Sequence, residues 1–209
     1  MAEISFARIS RRGFGRLFDA AGRDNRTQFW LFGAMVFGPL VAVQMITQML
    51  LIFASFDLRD LAASGADPAA AQLRMMADMG DGMITGTYLG VGLSVVGAVC
   101  LVTAAARRLH DRGRSGWWSL VVPFAVVATG IYQIRRVTWT FEQMASIAAD
   151  MRKIGTAPDS VAAIQAQLQA SAPGPGWSAI VAGLAMLGLV IELVRAGTDG
   201  PNRFGPAPE

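Results

Sequence analysis

The chain alternates between long uncharged stretches and short basic or turn-rich segments. Residues 27–56 run for 30 positions without Asp, Glu, Lys or Arg, and residues 82–106 for 25. About 20 apolar helical residues cross the ~30 Å hydrocarbon core of a bilayer, so both stretches can span it. Residues 115–134 supply 20 more, weakened by Gly116, Pro123 and Gly130. Residues 175–191 supply 17, a usable length once residues 192–194 join them. The expected fold is an all-α integral membrane protein, a four-helix transmembrane bundle with spans at about 27–56, 82–108, 116–134 and 176–195. Three spans plus a re-entrant segment is the alternative, with residues 117–134 dipping in and returning. Proline is tolerated in spanning helices, and "WWSLVVPFAVVATGIYQI" is apolar throughout, which favours a true crossing.

The segments outside the spans carry helical signals of their own. Phe14, Leu17, Phe18 and Ala21 fall on one side of a helix, with Arg12, Arg16, Asp19 and Arg23 elsewhere. This predicts an N-terminal interfacial amphipathic helix within residues 1–26, stopped by a left-handed turn at Gly22. Asn25 and Gln28 have the spacing of a capping box that restarts the chain as the first span. Asp67-Pro68 reads as an N-cap followed by proline at the first helical position, with Leu73, Met76 and Met79 at helical spacing. Phe141, Met144, Ala148, Met151 and Ile154 recur every three or four residues, so the third span is expected to continue as a helix beyond the membrane. Asp159 can cap a further stretch carrying Val161, Ile164 and Leu168, and "SAPGPGW" then breaks the chain before the last span. The expected organisation is a segment 1–26, a single membrane domain 27–206 with helical outer loops 57–81 and 135–174, and a tail 207–209.

Composition agrees with the pattern. Hydrophobic residues make up 53% and charged residues 16%, with mean hydropathy +0.42, where soluble domains carry about a quarter charged. The charged start is not expected to act as a cleavable signal peptide. Lysine and arginine number six in residues 1–26, two in 57–82, four in 107–114, four in 135–174 and two in 192–209. With four spans and a cytoplasmic N-terminus, twelve of the 18 lie inside, as the positive-inside rule requires. Residues 57–82 carry five Asp against two Arg, which suits an outer loop. Cys100 lies within the second span, so no disulfide framework or thiolate metal cluster is expected.

The densest polar chemistry is "RRLHDRGRSGWW", residues 107–118, at the end of the second span. Asp111 lies within one helical turn of Arg107 and Arg108 and can hold one of them. Gly113 allows a left-handed turn, Ser115 can cap the third span, and Trp117 and Trp118 mark the interface, as Phe29 and Trp30 do at the first span. Anchoring and headgroup contact by arginine and tryptophan account for this composition. His110-Asp111 offers a metal too few ligands, since His110 is the only histidine. A Ser115-His110-Asp111 triad would lack any sign of an oxyanion hole. The ten residues between spans are no basic nucleic-acid-binding domain. Glu192, late in the last span, is a possible intramembrane polar site, although Arg195 one turn away can satisfy it. The tail residues Asn202 and Arg203 can fold back onto the arginine belt.

Three stretches together resemble the bacterial inner-membrane family called domain of unknown function 805: "GRDNRTQFW" (22–30), "RRLHDRGRSGWW" (107–118) and "GTDGPNRFG" (197–205). The resemblance runs from about Leu17 to Pro206, with Phe204 in the last motif's aromatic slot. It implies an integral inner-membrane protein and no particular activity. It also implies that Gly22, Arg23, Arg26, Phe29 and Trp30 belong to one unit with Arg107, Arg108, His110, Asp111, Arg112, Arg114, Ser115, Trp117, Trp118, Asn202 and Arg203. This chain departs from the family's pattern in the roughly 40 residues 135–174 before its last span and in a well-developed loop 57–81. The number of spans decides which side "NRFG" occupies.

The functional expectation is a non-enzymatic accessory subunit or lipid-contacting scaffold, needing no cofactor. Its expected partners are anionic membrane lipids, other membrane subunits or a second copy, with no nucleic acid. A small-solute transporter or channel component is the alternative, resting on Glu192, on Pro123 in the third span and on Gly86, Gly90, Gly92 and Gly97 along the second. Those glycines have a simpler use in close helix packing. A lipid-modifying enzyme using His110 as acid or base ranks last.

Overall fold

The computed structural model describes residues 6–54, 68–154, 166, 170–171, 173–174 and 176–208. Among the described residues the chain forms five α-helices and no strand: α1 Phe6–Gly15, α2 Arg26–Ala54, α3 Pro68–Asp111, α4 Val121–Ile154 and α5 Trp177–Val194. Four of them (α2 to α5) are long and apolar enough to cross a membrane.

Local signals account for most helix ends. The capping box at the start of α2 closes from both sides: the Gln28 amide N–H donates to Asn25 Oδ1 at 2.8 Å, and the Asn25 N–H donates to Gln28 Oε1 at 3.0 Å. Helix α3 begins at Pro68, where a missing N–H costs nothing. It stops at Gly113, whose φ of +69° is open to glycine. There the Arg114 N–H bonds the Leu109 carbonyl and the Gly113 N–H bonds the His110 carbonyl, both at 2.9 Å, the paired bonds of a Schellman cap. Ser115 caps a 3₁₀ turn, Gly116–Leu120, which leads into α4. The third span does continue as helix: at 1.5 Å per residue, the 34 residues of α4 extend roughly 51 Å. Asp159, Val161, Ile164 and Leu168 of the proposed further helix lie outside the described residues, as does the Asp67 cap.

The N-terminal helix differs from expectation. It ends at Gly15, with Leu17, Phe18 and Ala21 beyond it. The carbonyls a longer helix would use internally have other donors: Arg107 Nη1 takes those of Arg16 and Asp19, and Thr103 Oγ1 takes that of Leu17 at 2.8 Å. Phe18 points outward at 92% exposure, while Ile9 and Leu17 pack on the core. Gly22 does turn left-handed, at φ +86°, within the loop that follows.

The chain forms two compact units. Residues 1–43, 91–129 and 177–209 make the first. Its core gathers Phe29, Phe32 and Val36 of α2 with Ala98, Leu101, Ala105 and Leu109 of α3, Val122 of α4, and Leu189 and Leu193 of α5. Small residues let α2 and α3 approach closely, and a Cβ on Gly97 would lie 3.0 Å from Leu40 Cδ1. Around this core, α2, α4 and α5 expose Val41, Phe124, Val127, Leu184, Leu187 and Ile191, an apolar exterior suited to lipid.

The second unit comprises residues 44–90 and 130–176. Gln44 and Gln48 of α2 lie over Gly90 and Gly86 of α3, and Phe141 of α4 lies over Gly80. Gly86, Gly90 and Gly97 are therefore packing positions, whereas Gly92 faces open space.

Candidate functional site

The three sequence motifs meet at one end of the first unit. Asp111, at the last turn of α3, is 3% exposed and receives two guanidiniums. Arg23 donates from Nε and Nη2 to Oδ1 at 3.1 and 2.8 Å, and Arg108 donates from Nη1 to Oδ2. A second buried carboxylate, Asp24, accepts from Arg107 Nε at 2.6 Å, with Arg12 at 3.6 Å. Bonds from charged donors to a carboxylate are about twice as strong as neutral ones, and buried charges are kept only when paired.

Backbone carbonyls take up the remaining guanidinium protons. Arg23 Nη1 donates to Gly200 O at 2.7 Å, and its Nη2 donates to Thr198 O at 2.8 Å. Arg108 Nε donates to Leu193 O at 3.0 Å, and its Nη2 reaches Arg195 O. These carbonyls lie at the C-terminal end of α5 and in the turn beyond it, where the helix leaves acceptors unused and its dipole favours cations.

The tail closes the cluster from above. The Thr198 N–H donates to the Asp111 carbonyl at 2.9 Å, Asn202 Nδ2 donates to the His110 carbonyl at 2.9 Å, and Arg203 Nη2 donates to Gly113 O at 3.1 Å. Phe204 stacks flat on the His110 imidazole, 4.0 Å between centroids, and the Arg203 guanidinium lies over the Phe204 ring, 4.7 Å from its centroid. His110 Nδ1 lies 3.2 Å from the Gly22 carbonyl, an acceptor for the Nδ1–H tautomer. Gly197 is required because a Cβ there would overlap the Asp111 carboxylate. Outside the spans, Asp19 is held below the usual aspartate range by the Ala21 N–H bond first and by Arg16 second.

These contacts bring together the N-terminal loop, the end of α3, the end of α5 and the tail beyond it. Helices α3 and α5 thus finish at the same place, and α4 is one continuous helix from Val121 to Ile154, long enough to cross a membrane, with no turn back within it. "NRFG" lies on the same side as "GRDNR".

Several expected surface residues are inside. Arg23, Arg107 and Arg108 are 3% exposed or less and bond internally, so they cannot face headgroups. Phe29, expected at headgroup depth, is a core residue at 4%. Asp111 does hold Arg108, and Arg107 goes to Asp24, a residue that carried no local signal beyond its place in "GRDNR". Thr198, Gly197 and Phe204 likewise matter more than their positions in a turn-rich tail suggested. Arg26, Trp30, Arg114, Trp117, Trp118 and Arg203 are exposed, the two adjacent tryptophans at 79% and 63%.

Glu192 has more partners than the one expected: Arg112 Nη2 at 3.2 Å, Arg195 Nη1 at 3.3 Å and Arg114 Nε at 3.7 Å. Two hollows flank the cluster. One, of about 360 Å³, is lined by His110, Ser115, Trp117, Ser119, Leu120 and Phe204 among others. The other, of about 340 Å³, lies between α4 and α5. Among the described residues no three of His, Cys, Asp and Glu converge as metal ligands.

The fold and this cluster define a multi-pass α-helical membrane protein whose span ends are tied at one end by arginine–aspartate pairs. The chain belongs to the family Protein of unknown function (DUF805), whose model matches residues 17–206. No curated protein and no solved structure matches it.

Proposed function

We propose that the protein is a non-enzymatic accessory subunit or lipid-contacting scaffold of a bacterial inner-membrane complex, with the arginine cluster on the cytoplasmic side. One observation carries this reading. The cluster's buried polar groups are spent on one another, and what they leave outside is a rim of arginine and tryptophan: Arg26, Trp30, Arg114, Trp117, Trp118 and Arg203. Such a rim fits the headgroup layer, where tryptophan concentrates and each basic residue contributes roughly 1 kcal/mol toward anionic lipid. Twelve of the 18 lysines and arginines fall on the cluster's side when the four spans are counted, which supports placing it in the cytoplasm. His110 is half-buried, stacked on Phe204 and tied to Gly22, a setting that suits a structural imidazole better than an acid–base catalyst.

Purification in a mild detergent followed by native mass spectrometry tests the role. Copurified lipid or a stoichiometric membrane partner is expected, and recovery of bare monomer alone would overturn it. Orientation is tested separately with Arg203→Cys in a Cys100→Ala background. Labelling by a membrane-impermeant maleimide is expected only after the inner membrane is opened, and labelling of intact cells from the periplasm would reverse the topology.

A further inference from the structure

The hollow between α4 and α5 differs from a packing defect in having a charged mouth. Its walls are Leu109, Trp118, Val121, Ala185, Gly188 and Leu189, and its mouth holds Arg114 and Glu192. At 340 Å³ it has the size of a small-ligand site. Ala185 and Gly188 are exposed on α5, and a Cβ at Gly188 would meet no atom within 4 Å, so the space opens along the helix. Three guanidiniums face the single carboxylate of Glu192, leaving two positive charges unbalanced at the mouth. The side chains of Arg114 and Arg195 are about 60% exposed (59% and 60%), so they are free to bind something further. Arg112 is tied to Ala196 O at 2.7 Å as well as to Glu192, and its Nε is buried without a partner.

An apolar slot open along a spanning helix, with surplus guanidinium charge at its polar end, matches an amphiphile with an anionic head. We propose that this groove holds one phospholipid, its phosphate on Arg114 and Arg195 and one acyl chain against Trp118, Val121 and Gly188. The guanidinium fork suits phosphate oxygens, and Trp118 bounds the slot at interface depth. The proposal rests on the lipid-contacting reading above and narrows it to one site.

The test measures retention of phosphatidylglycerol by native mass spectrometry of protein taken from mixed phosphatidylglycerol and phosphatidylcholine micelles. Three proteins are compared: wild type, Arg114→Gln with Arg195→Gln, and Gly188→Phe. One tightly held phosphatidylglycerol per chain is expected in wild type. The double arginine variant should hold it about 25-fold more weakly, a factor of about five per arginine. Gly188→Phe fills the slot without touching either arginine and should also lose the lipid, with an unchanged melting temperature in lipid-free detergent. Retention in Gly188→Phe equal to wild type would overturn the groove as the site. The same protein binding several lipids with no preferred single one would sink this proposal yet leave the scaffold reading standing. Equal retention of phosphatidylcholine would remove the role of the arginines and refute the proposal as stated.

Discussion

Asp111 offers the sharpest test of the cluster. Replacing it by asparagine keeps the shape and one acceptor oxygen but removes the charge that Arg23 and Arg108 share. Both guanidiniums are 1% exposed or less, so neither can turn to water. Removing one partner of a buried ion pair costs 3–5 kcal/mol because a buried charge is left uncompensated. Here two are left, but each keeps neutral acceptors: Gly200 O and Thr198 O for Arg23, and Leu193 O for Arg108. That places the expected loss near the lower bound, about 3 kcal/mol. Equilibrium unfolding in mixed micelles with increasing sodium dodecyl sulfate measures it. Glu192→Gln is the control. Glu192 is 24% exposed and its partners reach solvent, so the loss should stay under about 1 kcal/mol. A second substitution, Arg23→Gln in the Asp111→Asn protein, removes one stranded charge and should recover part of the deficit. A loss below about 1 kcal/mol for Asp111→Asn, or no difference from Glu192→Gln, would refute the claim that this pair organises the span ends.

Gly22→Ala should cost about 1–2 kcal/mol, because φ is +86° while the nearest side-chain atom to an added Cβ is 3.5 Å away, so the penalty is backbone strain alone; the same unfolding assay reads it. Gly197→Ala should cost about 1–3 kcal/mol by pushing the Asp111 carboxylate from its place, with added protease cleavage in the tail as a second readout. The Asp19 carboxyl, followed by NMR against pH, should titrate below the ordinary aspartate value of about 3.9. Because its folded pKa is depressed, whatever it contributes to the N-terminal loop is present above that ordinary value and lost as pH falls through the folded one. Arg16→Gln should raise the midpoint only in part, since the Ala21 N–H bond, the larger cause, stays.

What the sequence disclosed followed the range over which each signal acts. Span positions came from uncharged length, and the start of α2 came from a capping box closed within four residues. The turn at Gly113 and the N-terminus at Pro68 were likewise local and legible. Partner choice was not. Arg23 and Asp111 are 88 residues apart, Arg107 and Asp24 are 83, and Arg108 and the Leu193 carbonyl are 85. Read locally, an arginine beside a span is a headgroup anchor. Only tertiary pairing turns Arg23, Arg107 and Arg108 into core residues. The early end of α1 has the same origin, since Thr103 and Arg107 of a distant helix claim the carbonyls that would have prolonged it.

The cluster also separates the motif residues by what holds them. Arg23, Arg107, Arg108 and Asp111 have a complete explanation in the fold, since removing any one strands a buried charge, while Asn202 ties the tail to the His110 carbonyl and Gly197 leaves room for the Asp111 carboxylate. His110 and Phe204 explain each other by stacking. Trp117, Trp118 and Arg114 have no such account. Two adjacent tryptophans standing largely free of the protein's own core lose apolar contact for nothing unless something else covers them. The fold supplies the platform, and these three residues are part of the rim it presents with Arg26, Trp30 and Arg203. The motif thus divides into a buried arginine–aspartate lock, which the fold itself uses, and an exposed edge above it, which the fold leaves for a contact outside the chain.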